Sequence, residues 1–185
     1  MLGTEVRFLP PPPINMTFHA FDFIGTPEWD RGQSVEDSFK AIMDRKGITY
    51  REASRDEQFL HFDYVTSVGT IDVKARKKIN RSDEDEQDAL VWIEFKNTAG
   101  NAGWLTSDVD FIAFERKDDF VVVRRWSLLD LANELCDLTQ MVSRPSEALY
   151  KGYQRKGRLD LISIIKMQDI LQLEPTIETK PNANK

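Results

Sequence analysis

Residues 62–74, Phe-Asp-Tyr-Val-Thr-Ser-Val-Gly-Thr-Ile-Asp-Val-Lys, carry two carboxylates and an ammonium at spacings that a β-hairpin would gather. Residues 62–66 and 70–75 read as short strands around a turn at Val68-Gly69, where glycine takes positive φ cheaply. With Val68 and Gly69 as the loop, Ser67 faces Thr70, Val65 faces Asp72 and Asp63 faces Lys74. Directly opposed residues share a sheet face. Asp63, Asp72 and Lys74 therefore project from one face, and Tyr64, Ile71 and Val73 from the other. Hard oxygen ligands on rigid strands suit Mg²⁺ or Mn²⁺, and a lysine beside them can polarise a water or an anion. The plainer alternative is a cross-strand ion pair between Asp63 and Lys74, worth about 0.2–1 kcal/mol.

Asp72-Val-Lys74 after an upstream acid resembles the active-site signature of the PD-(D/E)XK nuclease superfamily, whose fold is restriction-endonuclease-like. The resemblance covers residues 33–125, with Phe62 standing where the family often has proline. It implies that Asp63 and Asp72 hold Mg²⁺ (or Mn²⁺) and that Lys74 orients the attacking water or stabilises charge. It also implies a further acid from the preceding helix, for which Glu36 is placed. The implied reaction is cleavage of phosphodiester bonds, with nucleic acid as partner, DNA as the first candidate and RNA as the second. The compact chain is similar to small proteins of phage genomes. Glu94-Phe95-Lys96 spells the motif a second time, with Asp72 as its upstream acid and Glu94 and Lys96 as the catalytic pair. The two frames make one site if residues 89–97 pair beside residues 70–75. A catalytically inactive relative, keeping the fold to bind nucleic acid or a protein partner, is the alternative.

The elements that must position these groups follow from periodicity. Ser34 is a candidate cap for a helix to Lys46, with Glu36 and Asp37 in its first turn and Val35, Phe39, Ile42 and Met43 as its apolar stripe. Gly47 ends it. Residues 48–53 read as a strand before the hairpin. The acidic run Arg81–Asp88, with five acids, reads as a solvated loop. Residues 89–97 form a strand with Trp92, Glu94 and Lys96 on one face and Val91, Ile93 and Phe95 on the other. Residues 109–115 and 120–125 make an antiparallel pair, 127–138 an amphipathic helix and 159–165 a last strand. The fold class expected is α+β, a central mixed sheet flanked by helices. Residues 1–30 form a proline and aromatic arm, 31–172 one domain, and 173–185 a polar tail that frays.

Phosphate contacts are sought where basic and aromatic residues interleave. Tyr150-Lys-Gly-Tyr-Gln-Arg-Lys-Gly-Arg158 offers Tyr150, Lys151, Tyr153, Arg155, Lys156 and Arg158 with no acid between them. Trp104 is a candidate base-stacking side chain, with a lid over the core as its competing role. Asp110 is a candidate support for the acids. A net charge of −6 disfavours a non-specific nucleic-acid coat, though local basic patches can carry the contacts. One cysteine, Cys136, leaves no internal disulfide, and His19 and His61 offer no ligand spacing for zinc. No apolar run approaches a membrane span, so the expectation is an intracellular protein with no membrane partner.

Overall fold

The computed structural model describes residues 27–181, with side chains from residue 30 onward. The proline and aromatic arm expected over residues 1–30 lies outside the described residues except for its last four positions. Those four open the first helix, α1 (Pro27–Lys46), seven residues ahead of the start expected at Ser34. Pro27 occupies the first helical position, where a missing N–H costs nothing, so it begins the helix instead of breaking the chain. Val35, Phe39, Ile42 and Met43 are buried on the expected stripe. Gly47 at φ +66° ends the helix, and the Ile48 N–H donates back to the Met43 carbonyl at 3.0 Å.

Strand β1 (Tyr50–Glu52) is followed by a short helix, α2 (Arg55–Phe59), then by β2 (Tyr64–Thr66), β3 (Gly69–Lys74) and β4 (Leu90–Lys96). A single 3₁₀ turn at Trp104–Thr106 precedes β5 (Phe111–Glu115), β6 (Asp119–Arg124) and α3 (Arg125–Leu135). The chain closes with β7 (Asp137–Val142), β8 (Lys151–Tyr153), β9 (Leu161–Lys166), α4 (Met167–Leu171) and β10 (Thr176–Thr179). The class is α+β, as expected, but the strands form two sheets. A six-stranded mixed sheet runs β1-β2-β3-β5-β6-β10, with β3 parallel to β5, and a four-stranded sheet runs β4-β9-β8-β7.

Alternation along β5 and β6 decides what each face of the large sheet meets. Ala113 and Phe120 join the α1 stripe, together with Tyr64, Ile71 and Val73 of the hairpin. Ile112, Phe114, Val121 and Val123 meet Val91, Ile93 and Phe95 of β4 and Leu128 and Ala132 of α3. Helix α1 thus covers one face, and the small sheet with α3 covers the other.

The end of the chain departs from expectation. Thr176–Thr179 do not fray; they pair antiparallel with β6, satisfying backbone groups that its outer edge would leave open. Two ion pairs hold the strand: Lys46 Nζ to Glu178 at 2.6 Å and Lys180 Nζ to Glu115 at 2.8 Å.

The hairpin register differs by two residues from the expected one. Tyr64 faces Ile71, Val65 faces Thr70 and Thr66 faces Gly69, so the loop is Ser67-Val68. Thr66 sets it: its hydroxyl accepts the Val68 N–H at 3.2 Å and donates to the Gly69 carbonyl at 2.8 Å. An even shift leaves every side chain on the face first assigned. Gly69 has φ +139°, and a Cβ there would meet the Asp110 carboxylate at 2.7 Å. Asp110 is thereby explained without catalysis. Its carboxylate accepts both the Thr70 N–H (2.8 Å) and hydroxyl (3.0 Å), pinning β5 to β3.

Candidate active site

Asp63 lies one residue before β2, where regular pairing to β3 stops. Its N–H donates to the Ile71 carbonyl at 2.9 Å, and its carboxylate accepts the Val73 N–H at 2.6 Å. The side chain thus completes the ladder and is fixed by it. Asp72, on β3, shares a face with Ile112 of the parallel neighbour and is only 2% exposed. Alternation places it on the Lys74 face, as expected, but gives no hint of this depth, which comes from the small sheet and α3 covering that face. Lys74, two residues on, donates to Asp72 Oδ1 at 2.6 Å. Asp72 Oδ2 is buried without a donor. The group within hydrogen-bonding reach of Asp72 is the Asp63 carboxyl, itself an acceptor unless a proton lies between them.

The electrostatics follow from that packing. Burial, then the Asp72 charge, raises the Asp63 pKa to about 7. Burial also raises Asp72, with the Lys74 ammonium opposing it. Burial acts to lower Lys74, but Asp72 and Asp63 outweigh it and the net shift is upward. Lys74 therefore stays charged while the two acids compete for one proton.

Glu36 enters from α1. The Tyr64 hydroxyl donates to the Glu36 carbonyl at 3.0 Å and ties this turn of the helix to β2. The Glu36 carboxyl is half-buried and raised to about 7, by burial first and then by Asp63, with Lys74 opposing. The fold therefore brings Glu36, Asp63, Asp72 and Lys74 into one electrostatic cluster. His61 joins them, although sequence spacing offered it no partner. It sits at φ +67°, and burial followed by the nearby Lys74 ammonium lowers its pKa, keeping the imidazole neutral at pH 7. Sequence periodicity held no signal for it, because residues 61–63 form a turn and not an extended strand.

The second frame does not assemble as expected. β4 pairs with β9 in the small sheet, while β3 has β2 and β5 as neighbours. Glu94 nonetheless comes within electrostatic reach of Lys74 and His61. Lys96 is exposed beyond an irregularity in the ladder between Glu94 and Lys96, which separates the two side chains. Glu94 belongs to the neighbourhood of the first frame; Lys96 does not.

A cleft of about 990 Å³ opens beside Lys74. Its lining holds seven Lys or Arg and three acids, in a chain whose net charge is −6. Lys74, Trp92, Glu94 and Trp104 line it, as do Tyr153, Arg155, Lys156 and Arg158. Asp63, Asp72 and Glu36 are not in the lining, so the carboxyl cluster and the cleft meet at Lys74.

The structure divides the expected nucleic-acid contacts. Tyr153, Arg155, Lys156 and Arg158 line the cleft, whereas Tyr150 and Lys151 do not. The Tyr150 hydroxyl is engaged by Asp169 at 2.6 Å, and Lys166 lies over its ring. Arg155 is held by the fully buried Asp160, through its backbone N–H at 3.1 Å and through its guanidinium. Trp104 is only 7% exposed and packs edge-on against Phe114 at 5.9 Å, with the Lys74 ammonium 5.6 Å above its ring. It is a support beneath Lys74, and no free face remains for stacking on a base.

Comparison with family models, curated proteins and solved structures finds no match to this chain. The residues themselves carry the functional reading. Among the described residues no three His, Cys, Asp or Glu side chains are grouped to grip one metal ion. Mg²⁺ is commonly held by one or two carboxylates with water and substrate phosphate completing the shell. Asp63 and Asp72 fit that smaller demand, and Asp72 Oδ2 is the buried acceptor that a cation would satisfy. Among the described residues no helix is long and apolar enough to cross a membrane.

Gly103 shapes the cleft wall by close approach. Its N–H donates to the Phe95 carbonyl at 3.0 Å, and a Cβ would come 2.4 Å from the Glu94 carbonyl oxygen. Gly103→Ala must therefore push β4 away. The expected cost is about 1–3 kcal/mol, as for overpacking, visible as a melting temperature several degrees lower. An unchanged melt would mean that the loop and β4 separate freely.

Proposed function

We propose that the protein is a metal-dependent phosphodiesterase of nucleic acid, built on a restriction-endonuclease-like arrangement and working through Asp63, Asp72 and Lys74. The observation that carries this reading is the buried Asp72 Oδ2, whose neighbour in reach is a second carboxyl, with an ammonium between that pair and a basic cleft. The order of helix, three-strand meander and parallel fourth strand supports it: α1, β1-β2-β3, then β5. Where the family has a crossover helix, this chain has β4 and a 3₁₀ turn.

Asp63 and Asp72 would hold Mg²⁺ or Mn²⁺, with Glu36 reaching it through water, since among the described residues no third carboxylate is grouped with the pair. The ion would supply charge for the phosphate and an acidified water. Lys74 is the cleft cation bonded to Asp72, so its role would be to orient and neutralise the reacting group. DNA is the first candidate substrate and RNA the second.

The titration gives a direct check. Asp63 and Glu36 are raised to about 7 in the folded state, whereas unfolded carboxyls ionise near 4. Between those values the folded chain binds more protons, so these groups stabilise at acid pH and the benefit fades as pH rises through 7. A divalent cation replaces the lost proton. Mg²⁺ or Mn²⁺ should therefore raise the melting temperature at pH 8 and have little effect at pH 5. Asp72→Asn should abolish the response. An equal shift in wild type and variant would place the metal elsewhere.

The alternative is a binding protein without cleavage, favoured by one observation: Lys74 already neutralises Asp72 at 2.6 Å. Cleavage assays on single-stranded and duplex DNA and RNA, with Mg²⁺ or Mn²⁺ and an Asp72→Asn control, separate the two. Binding with no metal-dependent cleavage of any substrate would give the alternative the lead.

A further inference from the structure

We infer that the cleft takes a single polynucleotide strand and excludes a duplex. The inference deepens the proposed function by naming the form of substrate that reaches Lys74. The first argument is access. Asp72 is 2% exposed, and the Lys74 side chain is 24% exposed at the meeting point of the acids and the cleft. A reacting phosphate must enter the cleft to touch it. At about 990 Å³ the cleft matches the upper end of small-ligand sites, enough for a few nucleotides of strand. A duplex carries its phosphates on the outside of a wide rod and would rest across the rim.

The second argument is the placement of charge. Arg76 is occupied by Asp88 and Arg155 by Asp160. Lys77, Arg81, Lys156 and Arg158 line the cleft with no acid paired to them among the described residues. Lys77 and Arg81 lie on the segment after β3, and Lys156 and Arg158 on the segment after β8. Cations on two separate segments suit a backbone passing between them.

The third argument is aromatic. Trp92 and Tyr153 lie side by side in the cleft, ring centroids 6.0 Å apart and tilted by 41°. The Trp92 indole N–H is held by the Lys78 carbonyl at 3.3 Å, fixing that ring as the backing for Tyr153. A half-buried tyrosine so supported offers a π-face to an unpaired base, which a base stacked within a duplex cannot use.

The test is binding in EDTA, where no divalent-dependent turnover interferes, followed by fluorescence anisotropy. The probes are a short labelled DNA strand, the same sequence as RNA, and the blunt DNA duplex. Either single strand should bind at least about tenfold more tightly than the duplex. Tyr153→Ala should weaken single-strand binding by about tenfold, the loss of one stacking contact, while Tyr153→Phe should not. Lys156→Ala with Arg158→Ala should reduce the log–log salt slope by about 1.4, for two lost phosphate contacts to a single strand. Duplex binding as tight as single-strand binding would overturn the inference. So would a folded Tyr153→Ala protein with unchanged affinity. The two claims fail separately: single-strand binding without cleavage sinks the catalytic reading alone, and cleavage with a duplex preference sinks this one alone.

Discussion

Lys74→Met is expected to lower metal-dependent cleavage by about a hundred- to a thousandfold while leaving single-strand affinity nearly intact. The loss is of the size seen when one preorganised donor to a transition state is removed. Binding survives because the strand keeps its contacts along the cleft, and the lysine meets only the reacting phosphate. Stability changes too, in a direction fixed by the acids. Without the ammonium, Asp72 and Asp63 face each other uncompensated, and their pKa values climb further. Groups raised in the folded state contribute stability that is complete below the unfolded carboxyl range and lost as pH rises through the folded value. The variant should therefore melt near wild type at pH 5 and well below it at pH 8. Single-turnover cleavage and anisotropy on the same preparation check the first half, and melts at two pH values the second. Unchanged cleavage would remove Lys74 from the reacting phosphate.

The second large effect is structural. Phe120 is fully buried and meets Phe39 edge-on with ring centroids 5.1 Å apart, so it is the seat of α1 on the large sheet. Phe120→Ala is expected to cost about 3–5 kcal/mol. For a chain of this size that corresponds to a melting temperature lower by about 10 °C or more. Because α1 also carries Glu36, the same variant should show a weaker divalent-ion response at pH 8. A fall of only a degree or two would mean that the helix is held by its other buried residues.

Much of the cluster is legible in the sequence because strand alternation is robust. The hairpin register is off by two residues, yet Asp63, Asp72 and Lys74 still share a face, since only an odd slip would move them. The α1 stripe is equally clear, while the helix start is not: Pro27 reads as a breaker until one asks whether it stands at the first helical position. Helix α2 had a signal in Ser54-Arg-Asp-Glu57. There Ser54 and Glu57 cap one another, with the Glu57 carboxylate accepting the Ser54 N–H at 2.8 Å. What local pattern cannot give is partner choice. Nothing in Leu90–Lys96 says that it pairs with β9 instead of β3, because a strand buried on one face has the same period in either sheet. The role of Arg155 was hidden for the same reason: the buried Asp160 that holds it is visible only in three dimensions. Truncating Arg155 would strand that acid, which is why Lys156 and Arg158 are the better probes of phosphate contact.

The crossover between β3 and β5 has a consequence for how the chain folds. It leaves the large sheet, contributes β4 to the small one and returns, and the large sheet then waits for β10 from the far end of the chain. Neither sheet is built from a contiguous stretch of sequence. No fragment ending before β9 can complete the small sheet, and β4 has no strand partner until β9 is available. Loops between distant segments must close before most of this pairing is rewarded, so refolding should be slow for a protein of this length, in the milliseconds-to-seconds range typical of non-local β topologies. The Asp63–Val73 contact closes within the hairpin, and Glu36 arrives when α1 docks. Glu94 reaches Lys74 from a strand whose ladder partner is β9, so on this topology the carboxyl pair is expected to form before the cleft.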